Sequence, residues 1–316
     1  MAITIGRLGY LGLGIESSVG SPAVASVYLP FTESSMRGHH EPIEVTSART
    51  SRAMDVGSVI GKKWSEGDVK LDLDIVNSGY LFKLALGNEI VATGTPNVHT
   101  FYVSTSGNTP KTATLIYGRD TDVEQYTYST LDELKIDVKD KLAELTASFK
   151  GAFPTVGATQ TVTTTSGTVF SFKDLTAKFG SSLTAAGVAT ATPLNELSLT
   201  ISNNIEVIHQ SGSADVSTIR NKGIKISGSY RLFFDSEADK NAYYNLNKRA
   251  MKLSFAGNAN ETLVINIPQF RLNEGEISTG LDDFFAITAN FVAEDVVDSG
   301  TRLIDVVLSN TKSTTY

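Results

Sequence analysis

The amino-acid sequence predicts a mainly β protein made of two tandem β-sandwich or β-barrel domains, each with one flanking α-helix. Short runs of alternating apolar and polar residues recur along the chain. These runs are rich in β-branched residues and glycine, whereas amphipathic helical stretches are few. The order of predicted elements in the first half recurs in the second, which is typical of a duplicated domain. A length of 316 residues is sufficient for two ordinary domains.

The clearest predicted strand runs from Val69 to Ile75. Apolar and polar residues alternate along it, which places the apolar side chains on one face and three polar side chains on the other. The three polar residues are Lys70, Asp72 and Asp74. Further strands of the first half are predicted at Val27–Thr32, Thr112–Tyr117, Leu134–Val138 and Leu142–Phe149. A turn at Lys139–Lys141 is predicted to join the last two as a hairpin.

Strands of the second half follow from the same pattern of short, β-branched and alternating runs. They are predicted at Glu196–Ile201, Ile224–Phe234, Leu263–Phe270, Phe284–Val292 and Leu303–Leu308. The last of these runs stands apart from the others, and an isolated strand is unstable unless it pairs.

Two segments have the features of helices. The first is Ser78–Leu86, with Asn77 as its N-cap and Gly87 as its C-terminal stop. The second is Glu237–Arg249, which Ser236 is predicted to cap. Each helix follows a predicted strand in its own half of the chain.

The internal repeat sets the predicted domain limits. The first half contains, in order, Ile43-Glu44-Val45, a polar loop, a strand, a helix and Gly87-Asn88. The second half repeats this order from Ile205-Glu206-Val207 to Gly257-Asn258, at an offset of about 160 residues. The predicted units are an N-terminal arm (1–26), a first domain (27–156), a Thr/Gly/Ser-rich linker (157–167), a second domain (168–298) and a C-terminal arm (299–316). Both arms lie outside the repeat, so we expect them to be unpaired within the chain and to bind another subunit.

Composition excludes several classes of function. The net charge is −7, and no basic stripe is present, so a surface that grips phosphate backbones is not expected. Cysteine is absent, which excludes disulfides, thiolate metal sites and cysteine nucleophiles. No signal peptide and no apolar run of membrane-spanning length are evident, so no membrane association is expected.

No segment carries a convincing catalytic, cofactor or metal motif. Adjacent His39 and His40 point to opposite faces of a strand, and no neighbouring ligands complete a metal site. The glycines of Gly6–Gly14 lack the Lys-Ser/Thr of a phosphate-binding loop. Asp72 and Asp74 are read as a solvated strand face. We therefore predict no enzyme activity, no cofactor and no metal.

Several segments, taken in order, resemble one known family. They are Gly12–Pro22, Tyr28–Pro30, Gly67–Leu73, Gly79–Gly87, His99–Phe101 and Leu197–Glu206. Together they resemble the major tail tube proteins of long-tailed bacteriophages, in the branch with two-domain subunits of this length. The polar segment Arg37–Ala53 and the strand-like tail after Asp298 depart from the family pattern.

The resemblance implies a structural protein of the virion tail, made in the cytoplasm of the bacterial host. Subunits of this family form stacked rings, here of three chains with six similar domains, and viral DNA passes through the tube without specific binding. Implied partners are other copies of the chain and the terminator, distal tail or baseplate, and tape measure proteins. Lys70, Asp72 and Asp74 are expected to face the lumen. Residues expected to reach other subunits from the arms are Gly12, Gly14, Ile15, Leu303, Ile304 and Val306.

Three other classes of protein remain open from the sequence. One is a hydrolase with dispersed catalytic residues, which no motif supports. A baseplate hub or capsid decoration protein would use the same fold but stop at a single ring. A surface β-sandwich that recognises glycans would be a monomer with aromatic residues clustered at one loop tip.

Overall fold

The computed structural model describes residues 6–46, 57–103, 109–120, 122–165, 167–233, 238–278, 285–295 and 302–316. Strands of the first half are β1 (Tyr10–Ile15), β2 (Val27–Leu29), β3 (Phe31–Ser34), β4 (Arg37–Glu44), β5 (Ser58–Asp72), β6 (Gly87–Ala92), β7 (Asn97–Val103), β8 (Thr112–Arg119), β9 (Asp122–Val138), β10 (Glu144–Gly151) and β11 (Thr155–Val156). Strands of the second half are β12 (Leu175–Gly180), β13 (Glu196–Ser202), β14 (Ile205–His209), β15 (Val216–Asn221), β16 (Lys225–Phe233), β17 (Arg249–Ala256), β18 (Thr262–Ser278), β19 (Ala286–Ala293) and β20 (Asp305–Asn310). The helices are α1 (Ser78–Leu86), α2 (Leu183–Val188) and α3 (Ala238–Tyr244), with two short 3-10 helices at Gly6–Leu8 and Phe172–Asp174.

The predicted mainly β fold, built from antiparallel strands, is confirmed. The hairpin at Lys139–Lys141 is also confirmed, since β9 and β10 pair directly across it. Phe284, the predicted start of a strand, lies outside the described residues; the strand itself is β19. None of the helices in the described ranges is long and apolar enough to cross a membrane.

The helices agree with prediction in part. Helix α1 has the predicted bounds and ends at Gly87, whose positive φ of 87° suits glycine. The predicted second helix is shorter than expected, because Arg249 already begins β17. Its predicted cap, Ser236, lies outside the described residues. The sequence reading missed α2, which Ser182 caps by accepting a hydrogen bond from the Ala185 N–H.

Eight strands form one continuous antiparallel sheet across both halves of the chain. Their order is β3-β5-β10-β9-β13-β16-β19-β18. The pairing of β9 with β13 joins the two halves. One face of this inner sheet supplies buried side chains to a core that extends through both halves, including Leu71, Ile136, Leu199 and Phe291.

An outer layer covers the apolar face of the inner sheet. In the first half it is β2-β1-β8 and the first part of β9. In the second half it is β12-β17, the first part of β18, and then β20-β7-β6. The hairpin β6–β7 belongs to the first half by sequence, but β20 joins it to the second.

The strand pairings of the first half recur in the second, with irregularities at the same places. The β8–β9 pair shifts register between Ala113 and Leu115, and the β17–β18 pair shifts between Arg249 and Met251. A single extra residue also bulges from β9 beside β10 and from β18 beside β19. Because bulges are specific local features, their recurrence supports a duplicated unit.

The equivalence corrects one part of the predicted repeat. Gly87 opens β6, whereas Gly257 follows β17, so the two Gly-Asn dipeptides do not occupy equivalent places. The reason is the hairpin β6–β7, which is inserted after α1 and has no counterpart after α3 among the described residues.

Both terminal segments are paired within the chain, so the prediction that they lack partners is wrong for their described parts. Strand β1, which contains Gly12, Gly14 and Ile15, pairs with both β2 and β8. Strand β20, which contains Val306, pairs with both β7 and β18. Ile304 just before it is fully buried, and Leu303 packs against the core. These pairings join residues far apart in sequence, which local patterns do not reveal.

The glycines of β1 serve close packing rather than a flexible arm. A Cβ on Gly14 would lie 2.2 Å from the Val24 carbonyl oxygen, and one on Gly12 would lie 2.8 Å from the Ala25 Cβ. Only glycine therefore lets the segment around Val24 pass this close to β1. Glu16 holds the following turn, since its carboxylate accepts hydrogen bonds from the Gly20 and Tyr128 N–H groups.

Candidate assembly surface

The inner sheet presents one bare polar face, which we call the polar face. Residues at every second position of its strands are solvent-accessible, while their neighbours are buried. Members of the polar face are Glu33, Glu66, Asp68, Lys70, Asp72, Glu133, Lys135, Asp137, Glu144, Lys150, Glu196, Lys225, Arg231, Arg271 and Glu274. Lys70 and Asp72 lie on it, as the alternation predicted.

Carboxylates outnumber cations on the polar face, and three of them lie side by side. Asp72 is opposite Glu144, which is opposite Asp137 on the next strand. We call these three residues the acidic row. Opposed like charges destabilise a sheet modestly, and Lys135 offsets part of this cost because its Nζ lies 2.8 Å from Asp137 Oδ2.

The acidic row has no charged counterpart in the second half. The same strand pairings there place Phe233, Ala286 and Ser278 side by side. One ion pair is repeated: Lys70 Nζ lies 2.7 Å from Glu33, and its counterpart Arg231 faces Glu196 at 3.8 Å. The two halves thus share a scaffold but differ in surface charge.

Asp74 does not lie on the polar face, so that part of the prediction is wrong. The side chain is 2% exposed because, beyond the end of β5 at Asp72, Asp74 bridges to Val169 and lies against the turn into α1. Its Oδ1 accepts hydrogen bonds from the backbone N–H groups of Val76 (2.7 Å) and Asn77 (2.6 Å). Burial raises the pKa of the Asp74 carboxyl above its ordinary value, against these hydrogen bonds, which lower it. Asp74 therefore stabilises the start of α1, the role predicted for Asn77, whose side chain makes no cap hydrogen bond.

Among the described strands, both edges of the inner sheet are open. The second part of β18, from Arg271 to Ser278, pairs with β19 on one side and with no described strand on the other. At the opposite edge, β3 and β4 pair with β5 alone within the described ranges. Unpaired backbone N–H and C=O groups at such edges are sites for strand addition.

The hairpin β4–β5 extends beyond the sheet and carries exposed apolar side chains. Ile43 (51% exposed) pairs with Val59 (54%), and Ile60 (62%) lies next to them. Hairpin β14–β15 supports it, because the Lys63 N–H donates to the Ala214 carbonyl. We call Ile43, Val59 and Ile60 the hairpin patch.

His39 and His209 contribute to this support. The His39 ring stacks on Trp64 at 5.5 Å, and the His209 ring meets Trp64 edge-on at 6.4 Å. Within the described parts of the chain, no group of three or more His, Cys, Asp or Glu residues is placed to hold a metal ion. Trp64 thus connects the two hairpins.

A buried charged cluster, which the sequence reading did not find, anchors the last described residues. Glu89 on β6 bonds Lys83 of α1 at 2.8 Å and His99 Nδ1 at 2.8 Å, and it also accepts the Tyr316 N–H. Burial alone would raise the pKa of Glu89, but the hydrogen bonds from His99 and Lys83 outweigh it and lower the pKa. His99 Nε2 lies 2.8 Å from the Lys312 carbonyl oxygen. His99 thus connects Glu89 on β6 to the C-terminal segment.

Two edges that no described strand covers, an accessible polar face and a projecting apolar hairpin are the surface features through which β proteins associate by strand addition. A family model described as phage tail tube protein matches residues 6–304. The chain therefore belongs to the phage tail tube protein family. It is a structural component of the virion tail that self-assembles into a tube together with other tail proteins. A comparison with curated proteins found no match.

Proposed function

We propose that three copies of the chain close into a ring, and that stacked rings form the tube through which viral DNA leaves the virion. The observation that carries this proposal is the inner sheet, which is open at both edges and already crosses from one half of the chain to the other. In this proposal the halves correspond to domains 27–156 and 168–298, joined by the linker 157–167. No catalytic residue is needed.

Ring closure removes both open edges. The free edge of β18 in one subunit pairs with the free edge at β3 and β4 of the next, so the inner sheet keeps no exposed edge. Three subunits supply 24 strands, which at about 4.8 Å spacing and about 40° tilt give a backbone diameter of about 48 Å. Such a barrel leaves room for a DNA duplex after side chains are added.

The polar face is the inner wall in this proposal. The outer layer and the helices cover the other face, so only the polar face can line an open channel. The acidic row repels phosphate groups, which keeps DNA from adhering while it moves. Lys70 and Asp72 are the sequence-predicted residues that this orientation places in the lumen.

The hairpin patch is proposed to contact the next ring. Its apolar side chains lie at the projecting end of the hairpin, beyond the stretch Ser65–Asp72 of β5 that pairs with β10. Ring closure at β3 and the start of β4 therefore leaves them exposed in this proposal. Burying them against a second ring makes stacking favourable, at roughly 25 cal/mol per Å² of apolar surface.

Electron microscopy of the concentrated protein tests the proposal. We expect filaments with a central channel and three-fold ring symmetry. A double variant, Ile43→Ser with Ile60→Ser, should give single rings that do not stack. Val188→Ser, which changes an 86% exposed residue of α2, is the matched control and should still form filaments. A protein that stays monomeric at all concentrations would contradict the proposal, as would stacking that is unaffected by the double variant.

A further inference from the structure

We propose that the joint between neighbouring subunits repeats the β9–β13 joint inside each chain, with the same register. Residues 35–39 of one subunit then lie antiparallel to residues 274–278 of the next. This inference rests on the proposed ring. It specifies which residues of neighbouring subunits face each other, and its evidence is the strand registers within one chain.

The register of β18 follows from its match to β9. Asp132 is the extra residue where β9 bulges beside β10, and Asn273 is the extra residue where β18 bulges beside β19. Aligning these bulges makes Glu133 equivalent to Glu274 and Asp137 equivalent to Ser278. The partner strands agree, because Phe149 of β10 then matches Phe291 of β19.

The register of the opposite edge follows from the pairing with β5 and β16. Glu33 faces Lys70 as Glu196 faces Arg231, which makes Glu33 equivalent to Glu196. Further along, Arg37 faces Glu66 of β5 and Thr200 faces Ser227 of β16. Glu66 and Ser227 occupy equivalent places on β5 and β16, so Arg37 is equivalent to Thr200. The stretch 35–39 therefore corresponds to 198–202 of β13.

The internal joint then determines the external one. Inside the chain, Ser198 faces Asp137, Thr200 faces Lys135 and Ser202 faces Glu133. In the proposed joint, Ser35, Arg37 and His39 belong to one subunit. They face Ser278, Glu276 and Glu274 of the next subunit, respectively.

Opposite charges at these positions fit the transfer. Arg37 is exposed and is placed opposite a glutamate, so the joint gains an opposite-charge pair that the internal joint lacks. Gly38 is placed opposite Gly275, but its lack of a side chain is already explained within the chain, where a Cβ would lie 2.8 Å from the side chains of Phe153 and Pro154. A shift by one residue would turn every side chain to the other face and lose these matches.

Cysteine pairing tests the register directly, because the chain has no cysteine of its own. Facing residues of an antiparallel pair lie within disulfide range, about 4.5–5.5 Å between Cα atoms. We expect Ser35→Cys combined with Ser278→Cys to give covalent trimers on mild oxidation of assembled protein, and no longer species. Ser34→Cys combined with Ser278→Cys, displaced by one residue, is the control and should stay mostly monomeric in denaturing gels.

Charge reversal gives a second, independent measurement. Arg37→Glu and Glu276→Arg should each abolish ring formation, and the double variant should restore it. Tubes that form while only the displaced cysteine pair crosslinks would overturn the register but leave the proposed function standing. Failure to restore rings in the double charge variant would also count against the register. Absence of any ring or tube from the wild-type chain would refute the proposed function itself.

Discussion

Replacing Asp74 by alanine and by asparagine separates two effects of a buried carboxylate. Its Oδ1 accepts the Val76 and Asn77 N–H groups, and its Oδ2 accepts Asn77 Nδ2 at 3.0 Å. Asn77 is fully buried, so its freed N–H cannot turn to water, whereas Val76 is partly accessible. Asn77 Nδ2 retains the Thr165 carbonyl at 3.2 Å.

The expected magnitude follows from these contacts. One buried donor left without a partner costs about 1–3 kcal/mol, and hydrogen bonds to a charged group contribute at the upper end of the scale. Removing the carboxylate also relieves the cost of burying a charge, which offsets part of the loss. We expect Asp74→Ala to lower the free energy of unfolding by about 2 kcal/mol and the Tm by roughly 4 °C. Asp74→Asn keeps an acceptor for both backbone N–H groups and should cost less than alanine.

The pH dependence has a definite sign. Burial raises the pKa of Asp74, so the folded chain binds this proton more readily than the unfolded chain. Its contribution to stability is largest below the unfolded pKa and declines as pH rises through the folded pKa. Asparagine does not titrate, so the stability of wild type relative to Asp74→Asn should fall from acid to neutral pH.

Denaturant unfolding followed by far-UV circular dichroism measures both effects. Asp140→Ala, which removes an exposed carboxylate at the β9–β10 turn, is the matched control and should change stability little. If Asp74→Ala were as stable as wild type, or if wild type gained stability over Asp74→Asn with rising pH, the structural account of Asp74 would be wrong.

Three further outcomes are expected. Gly14→Ala should lose about 1–3 kcal/mol because its Cβ meets a backbone carbonyl, while Gly6→Ala, with open space around it, should melt like wild type in the same thermal scan. Glu89→Gln should have a lower free energy of unfolding than wild type above the ordinary carboxyl pKa, and this difference should shrink as pH falls through the lowered pKa of Glu89. Denaturant titrations across the acidic range measure the difference, and a difference that stays constant with pH would contradict this. Converting the acidic row to amides should leave tubes intact, but the variant tubes should retain DNA in co-sedimentation at low salt. If wild-type and variant tubes released DNA equally, a repulsive lumen would be contradicted.

Short-range features were predictable from the sequence alone. The alternation around Val69 identified a strand and its buried face, because side chains of a strand point to opposite sides at every residue. Helix α1 was predicted with its correct bounds, since Gly87 stops it locally. Resemblance over many short segments identified the family, which the family match confirms.

Tertiary structure decided what depends on pairing between distant residues. Asp74 continues the alternation in sequence, yet it is buried, because beyond the end of β5 it bridges to Val169, a residue far away along the chain, at the turn into α1. The terminal strands looked unpaired because their partners, β8 for β1 and β7 with β18 for β20, lie far away along the chain. Register is likewise a relation between two strands, so a single strand's pattern indicates which face is buried but not which residue it meets.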